Sequence, residues 1–481
     1  MNLLNSGRGI EREFTWNDLF GYQQEDRDRI LEWFSSSGQG FLNLSDMGTG
    51  KTAVSLATLE QGRFPDTMVV CPTTLKGEWA RQIRSWCGVR PQIAKDDPKR
   101  RLDPLFEPPR DSGPHIFIIN YESFRMKRHR DVLNLYPFRL VILDEAHRIR
   151  NRKAQQTKGI FEFIEHHNDI KVLCLTGSPL VNSPSDLYPL LCLAKPDEFV
   201  LSGWRKFITR YCFYQYTKHG LMIFGERNIS ELKERTESYT SRRTREESLP
   251  DLPEKYYRSV TLDMERDQKK HYDQMKRELK VVLDGGSTLR AHDVLSQLTR
   301  LRQLALDPRL LDLNAVGSKT RFILELIGDY CREGGRKLVV FSCFETYIEL
   351  LSSEVDIPHV VVTGKVKKAE ERARLVEEFQ KDSTCKLFLG TVQSAGEGLT
   401  LTAAADVVFP DRWWTPSVMS QAEDRLCRIG QKNAVQVIKL INVGTVDDVI
   451  DRVLERKSKM ANKFMPKKMA TEVLEDIRHR S

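Results

Sequence analysis

The feature that most constrains this chain is a short glycine-containing run between a strand-like segment and a helix-like segment near its start. The run is Gly48-Thr49-Gly50-Lys51-Thr52, and it follows the apolar residues 40–44. In such a loop the backbone N–H groups and the N-terminus of the following helix hold phosphate oxygens. The pattern predicts an α/β lobe with a phosphate-binding loop, in which Lys51 reaches the β- and γ-phosphates of a nucleotide and Thr52 binds Mg²⁺.

Short apolar runs alternate with helical patterns in two separate blocks of the sequence. Those of the first block lie at 40–44, 68–71, 116–119, 140–143 and 172–175, and those of the second at 337–341, 359–362, 386–389, 406–409 and 436–441. Near-continuous apolar strands are buried on both faces, so each block predicts a parallel sheet between helices. From about 254 to 316 the strand signals fade, and two helical patterns, 269–283 and 291–306, are separated by a pair of glycines.

The predicted fold class is therefore α/β, with two RecA-like parallel-sheet lobes of the P-loop NTPase type and a helical insert between them. We expect the first lobe at 1–243, the linker and helical insertion at 244–316, and the second lobe with a basic helical tail at 317–481. A chain of 481 residues is long enough for two such lobes with full cores.

Two adjacent carboxylates, Asp144 and Glu145, follow the apolar run at 140–143. A carboxylate at the carboxyl end of a buried strand can hold Mg²⁺ beside the phosphate loop, and its neighbour can activate the attacking water. Two acids alone are more often a solvated turn. Their position after a buried strand, in a chain that carries Lys51, favours the catalytic interpretation.

A second candidate half-site lies near the opposite end of the chain. Pro416 fits the first position of a helix and Gly430 fits its end, so we expect Gln421, Arg425 and Arg428 to share one helical face. A guanidinium group can stabilise charge on a transferring phosphoryl group. Arginines at this spacing are also common surface charges. If they do act on the nucleotide, the site is completed only when the two lobes meet, and hydrolysis can open and close it.

The charge of the chain and its cysteine content indicate the class of partner and the cellular compartment to expect. The chain has 75 basic and 67 acidic residues, a formal charge of +8 that suits a polyanionic partner without proving one. Basic clusters at 125–130, 148–153 and 452–468 fit either phosphate contacts or solvated faces. The nine cysteines form no Cys-x-x-Cys pair, which argues against disulfides and structural zinc. Without a signal peptide or a membrane-spanning run, we expect an intracellular, soluble protein with no membrane partner.

Taken together and in order, the motifs resemble those of the SWI/SNF-type DNA-dependent ATPases of helicase superfamily two, and most of all minimal members such as the annealing-helicase branch. The resemblance runs from about residue 19 to 455. The matching stretches are Tyr22-Gln23, Val70–Leu75 with Trp79, Asn120–Glu122, Asp144–Asn151, Leu175–Pro179 with Asn182, Arg242-Arg243, Leu252–Lys255, Leu301–Gln303 with Pro308, Gly396–Thr402, Asp411–Pro416 and Arg425–Gln431.

The resemblance implies ATP and Mg²⁺ as cofactors and assigns roles to individual residues. The implied catalytic residues are Lys51, Asp144, Glu145, Arg425 and Arg428, and the implied metal ligands are Thr52 and Asp144. ATP would be bound by Gln23, which would read adenine, and by Met47, Gly48, Thr49, Gly50, Lys51, Thr52, Gly398, Arg425 and Arg428. The implied DNA contacts are Thr73, Lys76, Tyr121, Arg128, Arg148, Thr391 and Trp413, and the implied coupling residues are His147, Thr176 and Gln421.

As a function, the resemblance implies ATP-driven translocation along duplex or branched DNA without sequence preference, by a monomer in the cytoplasm, nucleoid or nucleus, with a loading protein as a further candidate partner. Two alternatives stay open. A single-strand-tracking DNA or RNA helicase of the same superfamily shares the phosphate loop and the acidic pair, although the stretch 425–431 and the linker argue against it. A non-catalytic nucleic-acid-binding scaffold would need a damaged nucleotide site, yet both candidate half-sites are intact in sequence.

Overall fold

A computed structural model describes residues 15–36, 38–107, 113–167, 169–177, 184–217, 220–248, 253–284, 291–395, 399–413, 416–428 and 430–452. The chain divides into two compact units, Met1–Pro250 and Asp251–Ser481. Within the described ranges, no helix combines the length and the apolar character needed to cross a bilayer.

The first unit is built on a parallel sheet, which in its described part has seven strands in the order β3-β4-β2-β5-β6-β1-β9. These strands are β1 (Gly40–Asn43), β2 (Asp66–Cys71), β3 (Gln92–Ile93), β4 (His115–Asn120), β5 (Leu140–Asp144), β6 (Lys171–Leu175) and β9 (Thr240–Ser241). A separate antiparallel hairpin consists of β7 (Cys212–Thr217) and β8 (Gly220–Glu226).

Helices connect these strands, as expected when neighbouring parallel strands need crossover connections. They are α1 (Gly21–Ser35), α2 (Lys51–Gln61), α3 (Lys76–Cys87), α4 (Lys127–Leu133), α5 (Gln155–His166), α6 (Tyr188–Ala194), α7 (Trp204–Tyr211), α8 (Ile229–Thr236) and α9 (Arg245–Ser248). The five strands predicted from apolar runs are all present and almost fully buried, which confirms the parallel sheet. Strands β3 and β9 have only two residues each, too few to form an apolar run, and were not predicted.

The second unit contains another parallel sheet, with the order β10-β15-β14-β11-β13-β12 among its described strands. Its strands are β10 (Lys255–Leu262), β11 (Leu338–Ser342), β12 (His359–Val362), β13 (Leu387–Thr391), β14 (Asp406–Phe409) and β15 (Val435–Asn442). Its helices are α10 (Arg266–Asp284), α11 (Ala291–Leu306), α12 (Ser318–Ile327), α13 (Glu345–Glu354), α14 (Ala369–Lys381), α15 (Val392–Ala395) and α16 (Pro416–Glu423). The chain therefore has two RecA-like lobes, as the sequence predicts.

The predicted linker segment needs one correction. Strand signals were expected to fade from residue 254, but 255–262 forms the edge strand β10, paired in parallel with β15. Most of its side chains are partly or fully exposed, so it lacks the apolar run that marks a central strand. Helices α10 and α11 are present as predicted, and they pack with residues 446–450 in one apolar cluster of the second unit. The predicted basic tail beyond residue 452 lies outside the described residues.

Candidate functional site

The predicted phosphate loop joins β1 to α2 through two glycines in the left-handed region. Gly48 has φ +83° and Gly50 has φ +81°, conformations that L side chains rarely adopt. Helix α2 starts at Lys51, and the Lys51 Nζ donates to the carbonyl oxygens of Ser45 and Asp46 at 2.8 Å each. The lysine ammonium is thus held over the loop by backbone oxygens, in the position from which it can exchange them for phosphate oxygens.

Helix α1 packs against this loop through its first turn. The Gln23 Nε2 and the Tyr22 hydroxyl both donate to the Thr49 carbonyl, at 3.0 and 2.9 Å. Gly50 has a left-handed backbone conformation that favours glycine, and a Cβ added to it would lie 2.1 Å from the Gln23 Nε2, so the glutamine side chain would have to shift. The Gln23 Oε1 accepts from the Phe20 N–H at 3.0 Å. Gln23 is buried and positions the loop, whereas its predicted reading of adenine stays a prediction.

The acidic pair lies at the carboxyl end of β5, as predicted. The Asp144 Oδ2 accepts from the Trp79 Nε1 at 2.7 Å, and its Oδ1 accepts from the Glu145 N–H at 2.9 Å. The Tyr121 hydroxyl donates to the Asp144 carbonyl at 2.6 Å. Burial, together with the negative charge of Glu145, raises the pKa of Asp144 to about 6. A divalent cation bound at this carboxylate would offset both effects.

Of the predicted coupling residues, His147 contacts both the carboxylate of Glu145 and the hydroxyl of Thr176. The His147 Nδ1 lies 3.3 Å from the Glu145 Oε2 and 3.3 Å from the Thr176 Oγ1. Thr176 is buried at the end of β6, where its N–H donates to the Asn43 carbonyl at 3.0 Å. Glu145 has φ +52°, a strained value for a residue with a long side chain. The structure thus brings the predicted base, His147 and Thr176 into one contact chain.

These residues fit ATP and Mg²⁺. A Cβ on Gly48 would meet no atom within 4 Å, so the loop is open on that side. Thr52 lies in the first turn of α2 and is half-buried, and Met47 packs on Gly177, whose added Cβ would lie 2.8 Å from the Met47 Cγ. Two carboxylates, a hydroxyl and a lysine beside a half-buried helix N-terminus match the chemistry of a nucleoside triphosphate with its metal.

The arginine-bearing segment corrects a prediction. Helix α16 ends at Glu423, so Arg425 and Arg428 lie on turns and do not share a helical face with Gln421. The Arg425 N–H donates to the Ala422 carbonyl at 3.2 Å, and the Arg425 carbonyl accepts from the Leu401 N–H at 2.8 Å. The helix thus ends seven residues before Gly430, and the turns after it are bonded to another part of the chain.

Side chains of the arginine segment itself bond these turns to the stretch 399–404. The Arg428 NH1 donates to the Leu399 carbonyl and to the Thr400 Oγ1, both at 3.2 Å. The Gln431 Nε2 donates to the carbonyls of Thr402, Ala404 and Leu426 at 3.2, 2.7 and 3.2 Å. Arg425 is buried, with 6% of its surface exposed. Gly398, predicted to bind ATP, lies outside the described residues.

Strand β10 anchors the start of the same turns. The Lys255 Nζ lies 3.2 Å from the Glu423 Oε2 and 2.7 Å from the Asp424 Oδ1. The Tyr257 hydroxyl donates to the Glu423 Oε2 at 2.9 Å. Burial lowers the pKa of Lys255, but the charges of Asp424 and Glu423 outweigh it and raise the pKa above its usual value. Lys255 belongs to one of the sequence motifs, but no local pattern in the sequence indicates its contact with Glu423 and Asp424.

Arg243 contacts the phosphate loop much as Lys255 contacts the arginine segment. The Arg243 N–H donates to the Ser45 Oγ at 3.1 Å, and the Asp46 N–H donates to the Arg243 carbonyl at 2.9 Å. The Arg243 guanidinium lies 3.2 Å from the buried Asp26 and 2.8 Å from Glu25. The segment that leaves the first unit is thus hydrogen-bonded to the phosphate loop.

The predicted DNA contacts separate into exposed and buried residues. Thr73, Arg128 and Arg148 are exposed and stay candidates, and Trp413 is half-buried against the apolar cluster of the second unit. Tyr121 is fully buried and donates to the Asp144 carbonyl, so its DNA contact stays a prediction that would require this segment to move. Two further candidates have little exposed surface: Lys76, whose ammonium binds the Ala94 carbonyl and Asp96, and Thr391. A DNA contact by either would require the local structure to rearrange.

Two RecA-like lobes, a phosphate loop with an acidic pair and an arginine segment define a helicase-type P-loop ATPase. A family model described as SNF2-related domain matches residues 23–310, and one described as helicase conserved C-terminal domain matches 318–430. The chain belongs to the SNF2 family of helicase superfamily two, whose class is that of the DNA-dependent ATPases.

Several known proteins are similar to the chain. The SWI/SNF-related matrix-associated actin-dependent regulator of chromatin subfamily A-like protein 1 of Xenopus tropicalis is 29% identical over 89% of this chain and 43% of its own length. The DNA annealing helicase and endonuclease ZRANB3 of Mus musculus is 27% identical over 86% of this chain and 38% of its own length. The chain thus spans less than half the length of these two relatives. The Sulfolobus solfataricus SWI2/SNF2 ATPase core in complex with dsDNA covers 100% of this chain and 97% of its own, with 23% identity and a TM-score of 0.43.

Proposed function

We propose that the chain is an ATP-driven motor that moves along duplex or branched DNA without reading its sequence. The observation that carries the proposal is the pair of contacts on Asp144. The segments that bear the predicted DNA motifs, around Trp79 and Tyr121, donate hydrogen bonds to the same residue that is predicted to hold the metal. A displacement of either segment by DNA would therefore act directly on the ATP-hydrolysing carboxylates.

On the nucleotide side, Lys51 and the N–H groups of the loop hold the phosphates, while Thr52 and Asp144 would hold Mg²⁺. When bound, that ion supplies positive charge to the phosphate oxygens. Glu145 orients the attacking water and accepts its proton. His147, at 3.3 Å from the Glu145 Oε2, restrains that carboxylate. In this proposal Arg428 supplies the charge that stabilises the transferring phosphoryl group, after leaving its contacts with Leu399 and Thr400.

On the DNA side, an amide links the two predicted contact motifs. The Asn120 Nδ2 donates to the Thr73 Oγ1 at 3.0 Å, and the Ser123 hydroxyl donates to the Asn120 Oδ1 at 2.5 Å. Tyr121, the next residue, binds the Asp144 carbonyl. Thr73 is exposed, so a phosphate that binds there is connected to the backbone of Asp144 by two hydrogen bonds and the peptide bond between Asn120 and Tyr121. Exposed Arg128 and Arg148 add positive charge on the same unit.

The names of these relatives suggest two kinds of activity for such a motor. One is called a regulator of chromatin and the other a DNA annealing helicase. We propose that this chain remodels branched DNA or protein–DNA complexes, that it acts as a monomer where DNA is present, and that a loading protein directs it to its substrate.

The experiment that tests the proposal compares ATP turnover with plain duplex, branched duplex, single-stranded DNA and RNA, with Lys51→Ala as the inactive control. We expect the strongest stimulation by duplex or branched DNA, with affinity that falls steeply as salt rises. ATP should drive displacement of a triplex-forming strand. Strong stimulation by single strands alone, with efficient unwinding of a tailed duplex and no triplex displacement, would instead support the single-strand-tracking helicase.

A further inference from the structure

A cavity of about 450 Å³ lies on the first unit, away from the contacts of the phosphate loop. Its walls come from the segment that follows the acidic pair (Arg150, Arg152 and Lys153), from the start of α7 (Trp204 and Arg205) and from the hairpin residue Tyr216. A volume in this range accommodates a small ligand or one to two nucleotides. The proposed ATP mechanism uses none of these residues.

The charge of the cavity is strongly unbalanced. Arg150, Arg152, Lys153 and Arg205 contribute four positive charges, against one negative charge from Asp186. None of these four cationic side chains forms a salt bridge with a carboxylate in the part of the chain that the structure describes. By contrast, Arg148, at the end of the same basic run, lies 3.7 Å from Glu122. Four cations without a carboxylate partner among the described residues repel each other around one cavity, and an anionic ligand would relieve that repulsion.

The cavity also offers flat surfaces. The Arg152 guanidinium lies over the Trp204 ring, 4.6 Å from its centroid, and covers one face of that ring. Tyr216 is 66% exposed, and its ring meets that of Tyr214 at 6.0 Å edge to face. Its hairpin partner Leu221 also lines the cavity. An exposed aromatic ring that is held in place by a neighbouring ring is a surface on which a planar ligand can stack.

We propose that this cavity binds an unpaired segment of DNA, with its phosphates on the four cations and a base against the Trp204–Tyr216 walls. Cationic grooves with aromatic platforms are the means by which proteins hold single strands. A plain duplex cannot use the aromatic walls, because its bases are stacked on one another inside the helix. The inference rests on the proposed function and narrows it: the substrate would be branched DNA, with duplex held by the motor and the free strand held here.

The test uses Arg205→Glu and Tyr216→Ala in the full chain. The matched control is Lys206→Glu, which makes the same charge change at an exposed residue of α7 that does not line the cavity. Binding of a fluorescent oligothymidylate and of plain duplex is measured by anisotropy, and ATP turnover is measured with forked and with plain duplex. Because all three positions are exposed, thermal unfolding of the variants should match that of the unaltered chain.

We expect Tyr216→Ala to weaken oligothymidylate binding about five- to tenfold, at the lower end of the effect of losing one base stack. Arg205→Glu should weaken it at least as much. Both should raise the concentration of forked DNA needed for half-maximal turnover, with plain-duplex stimulation within about twofold of the unaltered chain. Lys206→Glu should change none of these quantities beyond about twofold.

Equal losses for Lys206→Glu and Arg205→Glu, or unchanged oligothymidylate binding in both cavity variants, would overturn the proposal. Binding of a polyglutamate peptide that depends on Arg205, without an effect on the oligonucleotide, would identify an acidic peptide as the occupant and overturn it too. If no DNA stimulates turnover even in the unaltered chain, the motor function fails, and the oligonucleotide titration alone still decides whether the cavity binds single strands.

Discussion

The two candidate halves of the ATP site are built in different ways. The phosphate loop is defined by consecutive residues: two left-handed glycines, a buried strand before them and a helix that begins at Lys51. The arginine segment is shaped by distant residues, with Leu401 binding the Arg425 carbonyl and Lys255 binding Glu423 and Asp424. A local motif therefore suffices to form the first half, whereas the second depends on contacts that other parts of its unit supply.

The halves share one feature, a bond to the chain that joins the two units. Arg243 is bound to Ser45 and Asp46 of the phosphate loop, and Lys255 is bound to the residues just before Arg425. The two anchors lie on either side of the boundary at Pro250 and Asp251. We infer that this segment holds each half-site in place within its own unit.

The largest effect on ATP turnover is expected at the phosphate loop. Lys51→Ala removes the ammonium that faces phosphate, so ATP turnover should fall to background, whereas DNA affinity measured by anisotropy should stay within a few-fold of the unaltered chain. The matched control, Lys158→Ala, changes an exposed lysine on α5 and should leave turnover unchanged. Near-normal hydrolysis by Lys51→Ala would show that the loop is not the phosphate site.

Arg428→Ala tests the other half. If its guanidinium acts on the transferring phosphoryl group, turnover should fall by about 10³- to 10⁵-fold, as for other arginine fingers, with little change in ATP affinity. Thr400→Val is the control, because it removes only the hydroxyl that Arg428 contacts at 3.2 Å. We expect that control to lose less than about tenfold. Similar losses in both variants would mean that Arg428 acts by packing its segment and not by its charge.

Lys255→Met tests whether the arginine segment depends on its anchor. It keeps most of the apolar stem but leaves Glu423 and Asp424 side by side without their counter-charge. We expect turnover to fall about ten- to a hundredfold, because a small displacement of catalytic groups is enough for such a loss. The Michaelis constant for ATP should change little. Tyr257→Phe, which removes one hydrogen bond to Glu423, should cost less. Unchanged turnover in Lys255→Met would show that Lys255 does not position the arginine segment for catalysis.

The smallest effect is expected at the anchor of the phosphate loop. Burial raises the pKa of Asp26, and Arg243 opposes that rise. An acid whose pKa is raised by folding stabilises the folded chain at low pH and less as pH rises. Arg243→Ala should therefore lower the free energy of unfolding by about 1–2 kcal/mol at pH 7, with the loss shrinking as pH falls far enough to protonate Asp26. Urea unfolding over a series of pH values measures this, with Asp26→Asn as a second background. A loss of the same size and pH dependence in the Asp26→Asn background would exclude Asp26 as its cause.

The comparison also explains which features the sequence could predict. Both parallel sheets, helices α10 and α11, and the places of Lys51 and Asp144 follow from apolar runs and local motifs, and all are present. The helical face predicted through Gln421, Arg425 and Arg428 was wrong, because helix α16 ends at Glu423 and periodicity alone does not show where a helix ends. Strand β10 was missed because an exposed edge strand has no apolar run. The bonds of Trp79 and Tyr121 to Asp144 join residues far apart in sequence, for which no local pattern exists.

We propose that the first unit binds ATP and that the second unit supplies the arginine needed for its hydrolysis. The most direct measurement is of nucleotide affinity and DNA-stimulated turnover for the separate unit Met1–Pro250, beside the full chain. We expect this unit to bind ATP within about tenfold of the full chain. Its turnover, with or without duplex DNA, should be lower by at least the 10³-fold expected for a missing arginine finger. Robust DNA-stimulated hydrolysis by Met1–Pro250 alone would contradict it.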